Sequence, residues 1–414
     1  MSKLQPVRGT HDLLPEEFPR FAHVVDSARD VARLYGYAEM ATPIFEMTEV
    51  FARTSGETSD IVSKQMYSFA DRGGDALTLR PEYTAGICRA FITHSQSQNT
   101  PFKVFAQGPM FRYERPQKGR FRQFHQIDIE AIGASEPQAD IEVICLAADL
   151  LKRLGVLEHC VLEINSLGDL QSRAAHRAVL VDYFSAHRAK LSDDSRARLD
   201  KNPLRIFDSK DEGDRALLPN APMLHDYLTP TARQFMAAVL GGLGDVGVAY
   251  KLSPQLVRGL DYYTHTAFEF VTDRLGAQSA VIAGGRYDGL MEQLGGPPTP
   301  GIGWAAGIER LMLLAQGVPV AERPVALVPM GEAAERAAVQ LARQLRDAGV
   351  PVDLAYRGNM KRRFQRANKI GARAAVILGD AELARGVAAV KDLDSGEQRE
   401  IAIEALAAAL KTAK

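Results

Sequence analysis

Cysteine is nearly absent: the 414-residue chain holds Cys88, Cys145 and Cys160 alone, too few for a disulfide framework and too widely spaced for a thiolate metal clamp. A reduced cytoplasm is the compartment this predicts. Neither sign of charge is in surplus, with 50 Lys and Arg against 51 Asp and Glu, so a generally basic nucleic-acid coat is excluded and any polyanion must be held by local patches. No apolar run approaches the roughly 20 residues of a membrane span. The opening Met1-Ser2-Lys3-Leu4-Gln5-Pro6 lacks the basic-then-apolar order of a signal peptide. A soluble protein without membrane contact is expected. The familiar phosphate and metal signatures are missing too: no Gly-x-x-x-x-Gly-Lys-Ser/Thr loop, no dinucleotide fingerprint after a first strand, no His-Glu-x-x-His pair. A nucleotide, if bound, is bound by another device.

What is present is enough chain for two or three domains. Phe21, Val24, Val25, Ala28, Val31, Ala32 and Tyr35 recur at helical spacing and Gly36 stops them, which predicts a long amphipathic helix. It leads into Tyr37 to Phe45, where Pro43 suits an edge strand, and the pair reads as a subunit contact. From Ala76 to Ala131 apolar strands alternate with charged turns, predicting antiparallel hairpins around a helix at Thr84 to Phe91. Leu170 to Asp214 changes to helical patterns with few β-branched residues, a helical insertion. Strand-like text resumes at Ala249 to Leu252, Thr266 to Thr272 and Ala280 to Gly285, and Gly301 to Gly307 leads into a helix over Ile308 to Leu314. After a linker at Pro319 to Pro324, strands and helices alternate as in a small α/β domain.

Chemistry concentrates around three arginines. Leu256-Val257-Arg258-Gly259-Leu260-Asp261-Tyr262-Tyr263 packs a cation, a flexible turn, a carboxylate and two phenols into eight residues, a composition for gripping an anion beside a planar polar ligand, though alone it fits a salt-bridged turn equally well. Arg112 sits in Phe111-Arg112-Tyr113-Glu114 and Arg310 in Gly307-Ile308-Glu309-Arg310. With Arg112 and Glu114 on one strand, a basic loop Arg115 to Arg120 and a return strand through Phe124, two cations and an aromatic plate would share one sheet surface, able to hold a triphosphate and stack a purine.

The Pro43 strand after a long helix, the Phe-Arg-x-Glu hairpin and the Gly-x-Gly-x-x-x-Gly-x-Glu-Arg run resemble the three ordered motifs of class II aminoacyl-tRNA synthetases. More narrowly, Thr78-Leu79-Arg80-Pro81-Glu82, Arg115-Pro116-Gln117-Lys118-Gly119-Arg120, Leu256 to Tyr263 and Gly284-Gly285-Arg286-Tyr287-Asp288 resemble the histidyl-tRNA synthetase family, over essentially the whole chain. The resemblance implies an α+β fold: a class II antiparallel sheet with flanking helices over residues 1–320, a helical insertion at about 170–230, and a C-terminal α/β anticodon-binding domain over 321–414. It implies a cytoplasmic homodimer in protein biosynthesis that joins histidine, ATP and tRNA-His, with magnesium escorting the triphosphate and no side-chain metal site.

The residue roles it implies can be set against what each side chain can do. Arg112 and Arg258 would hold the α-phosphate and the histidine carboxylate, and Arg310 the γ-phosphate of a bent ATP. Glu114 would meet the adenine amino group, Phe124 stack on the ring and Arg120 reach the phosphates. Glu82 and Thr84 would clamp the α-ammonium, Gln126 would lie near the carboxylate, and Glu130, Tyr262 and Tyr263 would surround the imidazole. Such polar readout discriminates by ~10⁴ to 10⁵, so no editing domain is expected. His125 needs no general-base role, because the attacking carboxylate is already ionised. For RNA, Gln117 and Arg122 would meet the acceptor end. Lys361, Arg362 and Arg363 lie in a domain with 16 Lys and Arg against 12 Asp and Glu and would meet the anticodon. The rival is a histidine-sensing regulatory subunit of ATP phosphoribosyltransferase, a paralogue that typically lacks that domain and the catalytic arginines.

Overall fold

The computed structural model describes residues 3–55, 64–117, 119–258, 262–276, 279–320 and 322–411. The chain forms two units, Met1–Pro319 and Val320–Lys414. In the first, helix α1 (Phe18–Leu34) buries Val24, Val25, Ala28, Val31 and Ala32 along one stripe, as the 3.6-residue period requires. Gly36, with φ +76°, ends it in a left-handed conformation that costs glycine little. Tyr35 caps the helix rather than extending it, and its hydroxyl donates to Asp149 at 2.6 Å.

The strands of this unit are β1 (Ala38–Glu39), β2 (Phe45–Met47), β3 (Tyr67–Ala70), β4 (Ala76–Leu79), β5 (Phe102–Phe111), β6 (Gln123–Ile132), β7 (Val161–Ser166), β8 (Lys251–Leu252), β9 (Thr264–Val271), β10 (Ala280–Arg286) and β11 (Gly301–Gly307). Eight of them make one sheet in the order β1-β5-β6-β11-β10-β9-β7-β8, antiparallel except at its outer pairs, where β1 runs parallel to β5 and β8 to β7. β2, β4 and β3 form a separate antiparallel sheet, so Leu77 to Leu79 does not join the hairpin made by β5 and β6. Pro43 is in no strand. Arg80 takes the Thr42 carbonyl at 2.9 Å and the Pro43 carbonyl at 3.5 Å, acceptors that a ladder would otherwise use. β5 ends at Phe111, which leaves Arg112 and Glu114 in the connecting segment instead of on a strand.

Helices α2 (Thr48–Ser55), α3 (Thr84–Thr93), α4 (Pro137–Arg153), α5 (Leu170–Ala186), α6 (Asp193–Lys201), α7 (Glu212–Leu217), α8 (Pro230–Asp245), α9 (Leu290–Gln293) and α10 (Ile308–Leu314) complete the unit. Alternation along β6 divides its two faces. Ile127, Ile129 and Ala131 pack with α1 and α4 in one core, while Gln126, Asp128 and Glu130 point to the other side. Trp304 of β11 joins that core and donates from Nε1 to the Val143 carbonyl at 3.0 Å, satisfying its one polar atom. The stretch carrying α5, α6 and α7 has its own apolar cluster of Leu180, Phe184, Leu191, Leu199, Ile206, Leu217, Leu218 and Ala221. Its connections converge on buried Asp214, which accepts from the hydroxyls of Ser192, Ser195 and Ser209 at 2.6 to 2.7 Å.

The second unit runs β12 (Val325–Met330), α11 (Glu332–Asp347), β13 (Val352–Leu354), α12 (Met360–Lys369), β14 (Ala374–Gly379), α13 (Asp380–Ala384), β15 (Val387–Asp392), β16 (Gln398–Ala402) and α14 (Leu406–Leu410). Its sheet order is β13-β12-β14-β15-β16, with β12 parallel to both β13 and β14 and the remaining pairs antiparallel. Right-handed crossovers through helices suit the parallel part.

Candidate active site

The polar face of the large sheet opens as a cleft lined by charged, hydroxyl and aromatic side chains. Glu82, Thr84, Arg112, Glu114, Arg120, Phe124, Gln126, Glu130, Arg258, Tyr262, Tyr263 and Arg310 all line it, although they come from five separate stretches of chain. Of the run that ends in Tyr262-Tyr263, Gly259, Leu260 and Asp261 lie outside the described residues.

Backbone geometry explains why there is room. β6 is flanked by β5 and β11, and the residues paired with Gln126, Asp128 and Glu130 on β11 are Gly307, Ala305 and Gly303. A Cβ at Gly303 would stand 1.8 Å from Glu130 Oε2, so only glycine lets that carboxyl lie flat against the strand.

Glu130 is the best-held acid. Thr84 Oγ1 donates to its Oε1 at 2.6 Å and the Tyr287 hydroxyl to its Oε2. Burial pushes its pKa up to about 8, against the lowering effect of those two donors and with the nearby Glu82 adding to the rise. Glu82 is raised by burial as well, while its Oε1 accepts from the Ala85 amide at 2.9 Å and so closes the start of α3. The Thr84 hydroxyl is therefore engaged inside the protein. Burial likewise raises Tyr262, Tyr263 and Tyr287, keeping all three as neutral donors.

The cations line the same cleft. Arg112 donates from Nε to the Pro81 carbonyl at 2.8 Å and lies 5.2 Å over the Phe124 ring, while burial lowers its pKa. Phe124 is thus half-buried beneath a guanidinium and still faces the cleft. Arg258 pairs with Glu269 and sits 5.2 Å over the Tyr263 ring. Arg120 stands against Glu114 as an ion pair without the alignment of a hydrogen bond. Glu309, next to Arg310, turns instead to strand β6, accepting from the His125 amide at 2.9 Å and from His125 Nδ1 at 2.8 Å. His125 thereby joins α10 to the sheet.

Three arginines in the quoted runs are structural. Arg80 lies against the Tyr83 ring at 4.0 Å and donates to Pro109. Arg286 is wholly buried with Asp140. Arg363 corrects an expectation: it is only 4% exposed, bonded to the Pro329 carbonyl and paired with Glu335, and so does not present its charge to RNA. The reason is helical period. Arg363 and Ala367 share the inward stripe of α12, whereas Lys361 and Arg362 remain exposed. Gln117 is exposed in the loop; Arg122 is half-buried, 3.9 Å over the Tyr113 ring and bonded to the Glu114 carbonyl. Sequence reasoning gave no role to Asp128, Tyr287 or Glu309. For Asp128 the signal was there, in the polar-apolar alternation from Gln126 to Glu130.

An antiparallel sheet whose open face gathers arginines and acids, in a chain that continues into an α/β unit, is the architecture of class II aminoacyl-tRNA synthetases. The comparisons with known proteins narrow this. A model described as histidyl-tRNA synthetase matches residues 9–311, and one described as anticodon binding domain matches 324–413. The chain belongs to the histidyl-tRNA synthetase family. It is 60% identical to the histidine–tRNA ligase of Gluconacetobacter diazotrophicus and 58% identical to that of Rhodospirillum rubrum, with 98% of each chain covered in both cases. The apo histidyl-tRNA synthetase of S. aureus superposes with a TM-score of 0.83 at 36% identity, covering 100% of both chains.

Proposed function

We propose that the chain activates histidine with ATP, forming histidyl-adenylate and pyrophosphate, and then transfers the histidyl group to the 3′ end of tRNA-His with release of AMP. The observation that carries this reading is the meeting, in one cleft, of a double-donor-held Glu130 with Arg112, Arg258 and Arg310. In the first step a substrate carboxylate oxygen bonds to the α-phosphorus as the bond to pyrophosphate breaks. Negative charge grows on the phosphoryl oxygens and the leaving group, and fixed guanidinium groups stabilise it. In the second, a ribose hydroxyl of the tRNA attacks the acyl carbon and AMP departs.

In this reading Arg112 and Arg258 embrace the α-phosphate and Arg310 the far phosphates, with Glu114, Arg120 and Phe124 around the adenine end. Glu130 takes a ring N–H of the imidazole, with Tyr262 and Tyr263 closing the pocket and Glu82, Thr84 and Gln126 near the backbone of the substrate. Residues 1–320 form the catalytic domain with its insertion, and 321–414 the anticodon-binding domain. Gln117 and Arg122 face the acceptor end and Lys361 and Arg362 the anticodon. Among the described residues no group of three or more His, Cys, Asp or Glu stands together as a metal site. Magnesium is proposed to accompany the triphosphate on phosphate oxygens and water, and no step here is routed through it. A cytoplasmic setting is part of the proposal, and no described helix is long and apolar enough to cross a membrane. The reading as a regulatory subunit is disfavoured because all three arginines line the cleft and the second unit is present.

Histidine-dependent exchange of labelled pyrophosphate into ATP, run against all twenty amino acids and paired with charging of tRNA-His, tests the proposal. Exchange with histidine alone is expected; exchange with another amino acid, or none, would refute it.

Glu130→Gln keeps the pocket's shape but removes the ionisable group, and histidine activation is expected to fall by about tenfold or more while ATP binding persists. The same change has a signature in stability. With a folded pKa near 8 against an ordinary carboxylate value of 4.5, the native state holds a proton that the unfolded chain has lost. Stability contributed by Glu130 is therefore complete below the unfolded value and declines as pH rises towards the folded one, by up to about 1.4 kcal/mol per pH unit. The glutamine variant should lack that decline between pH 5 and 8. Equal weakening of ATP and histidine binding would instead make Glu130 a support of the sheet.

A homodimer is also proposed, since α1 and the segment after it leave Phe18, Ile44, Phe45 and Met47 exposed as large apolar side chains. Sedimentation of the active protein should give twice the chain mass of 45.2 kDa, and a monomeric mass would refute the dimer.

A further inference from the structure

On the cleft-facing side of β6 the three polar residues are not equally provided for. Both Glu130 oxygens have donors, from Thr84 and Tyr287. Asp128, two residues earlier on the same face, is 1% exposed, and its Oδ2 has no hydrogen-bond partner among the described residues. Gln126, two residues earlier again, is 8% exposed, and its Oε1 is likewise without one. Asp128 Oδ2 and Gln126 Oε1, on the same face of β6, are thus both buried on the cleft wall without a protein partner among the described residues.

The neighbours leave the space open. Asp128 is paired across the sheet with Ala106 on β5 and Ala305 on β11, so its two strand neighbours offer its carboxyl no side-chain donor. Of the groups the resemblance assigns to the substrate's amino end, Thr84 donates to Glu130 and one Glu82 oxygen accepts from Ala85, so the Thr84 lone pairs and the second Glu82 oxygen remain as acceptors beside Asp128 and Gln126. A ligand that satisfies acceptors at Gln126 and Asp128 must carry donors and no acceptor at that point. A primary ammonium, with three N–H donors and a positive charge, is the group that fits.

We infer that Asp128, with Gln126, receives the α-ammonium group of the bound amino acid, making Asp128 a specificity-determining residue for substrates with a free amine. This rests on the function proposed above and adds a residue to it. Burial first, then the nearby Glu130 and Glu82, raise the Asp128 pKa well above the ordinary carboxylate range, against the lowering effect of Arg80 and Arg112, and an arriving cation would offset that burial.

The test compares two ligands on two proteins. Isothermal titration measures histidine and 3-(imidazol-4-yl)propionate, which keeps the ring and the carboxylate but lacks the amine, on the wild-type chain and on Asp128→Asn. The wild type should favour histidine, and the variant should lose that preference by about 10- to 100-fold, the scale of a charge-assisted hydrogen bond, with affinity for the amine-free ligand nearly unchanged. Equal weakening of both ligands, or no change in either, would overturn the assignment and make Asp128 part of the wall only. Should the asparagine variant fail to fold, Asp128→Ala extends the alanine row of Ala106 and Ala305 and gives the same reading. Histidine-dependent exchange by the wild type is measured alongside: its loss would refute the proposed function, whereas its presence with an unchanged ligand preference in the variant would refute only the Asp128 role.

Discussion

Arg258→Ala is expected to slow adenylate formation by about 10² to 10³, or roughly 2.7 to 4 kcal/mol, the scale on which one transition-state charge donor acts. The side chain is 14% exposed, faces the cleft and is oriented by Glu269 and the Tyr263 ring. Its charge is therefore held in place before substrate arrives, and no reorganisation is needed as the phosphoryl group moves. Two alternative consequences can be separated from this one. Loss of the Glu269 pair alone would show as a lower melting temperature with normal single-turnover chemistry, and loss of ground-state binding alone would raise KM without changing kcat. Arg258→Lys should recover only part of the rate, because an ammonium retains the charge but not the planar fork. Near-normal single-turnover adenylate formation by Arg258→Ala would make the residue structural.

Arg286→Ala should produce the largest loss of stability in the first unit, about 3 to 5 kcal/mol. Arg286 and Asp140 are both 0% exposed; the guanidinium donates to Asp140 Oδ2 from Nε at 3.1 Å and to the Ala134 carbonyl at 2.9 Å, and reaches Asp288 at 3.1 Å. Truncating the cation leaves the Asp140 charge buried at the first turn of α4 without its counter-ion, and an uncompensated carboxylate there costs far more than the pair is worth. The double variant Arg286→Met with Asp140→Leu removes both charges while keeping volume, and should regain most of the loss. Denaturant unfolding of the three proteins decides the matter. If Arg286→Ala unfolds within 1 kcal/mol of wild type, the pair is solvated rather than buried in solution.

Much of this organisation was legible along the chain. The periodic stripe of α1 and its stop at Gly36, the helical character of Leu170 to Asp214, the alternating strands and helices after Pro324 and the ordered runs resembling a synthetase all depend on neighbours within a few residues, where period and turn chemistry act. Pro43 shows the limit of local reading. It fits an edge strand by its own chemistry, but Arg80, far along the sequence, takes the carbonyls that would have built one.

The arginines make the division plainest. By itself the sequence determined that Arg112, Arg258 and Arg310 stand in unusual company, and it placed Arg80 and Arg286 in runs that resemble a synthetase and Arg363 in a basic helix. Only the tertiary structure decided which of them face a ligand. Arg112, Arg258 and Arg310 line one cleft although nearly 200 positions separate the first from the last, while Arg80, Arg286 and Arg363 turn inward to carbonyls and carboxylates. A guanidinium has the same five donors whether it holds a phosphate or a buried aspartate, so its role is set by which acceptor the fold brings within about 3 Å, and that distance is fixed by sheet register and helix packing, not by the residues beside it in the chain.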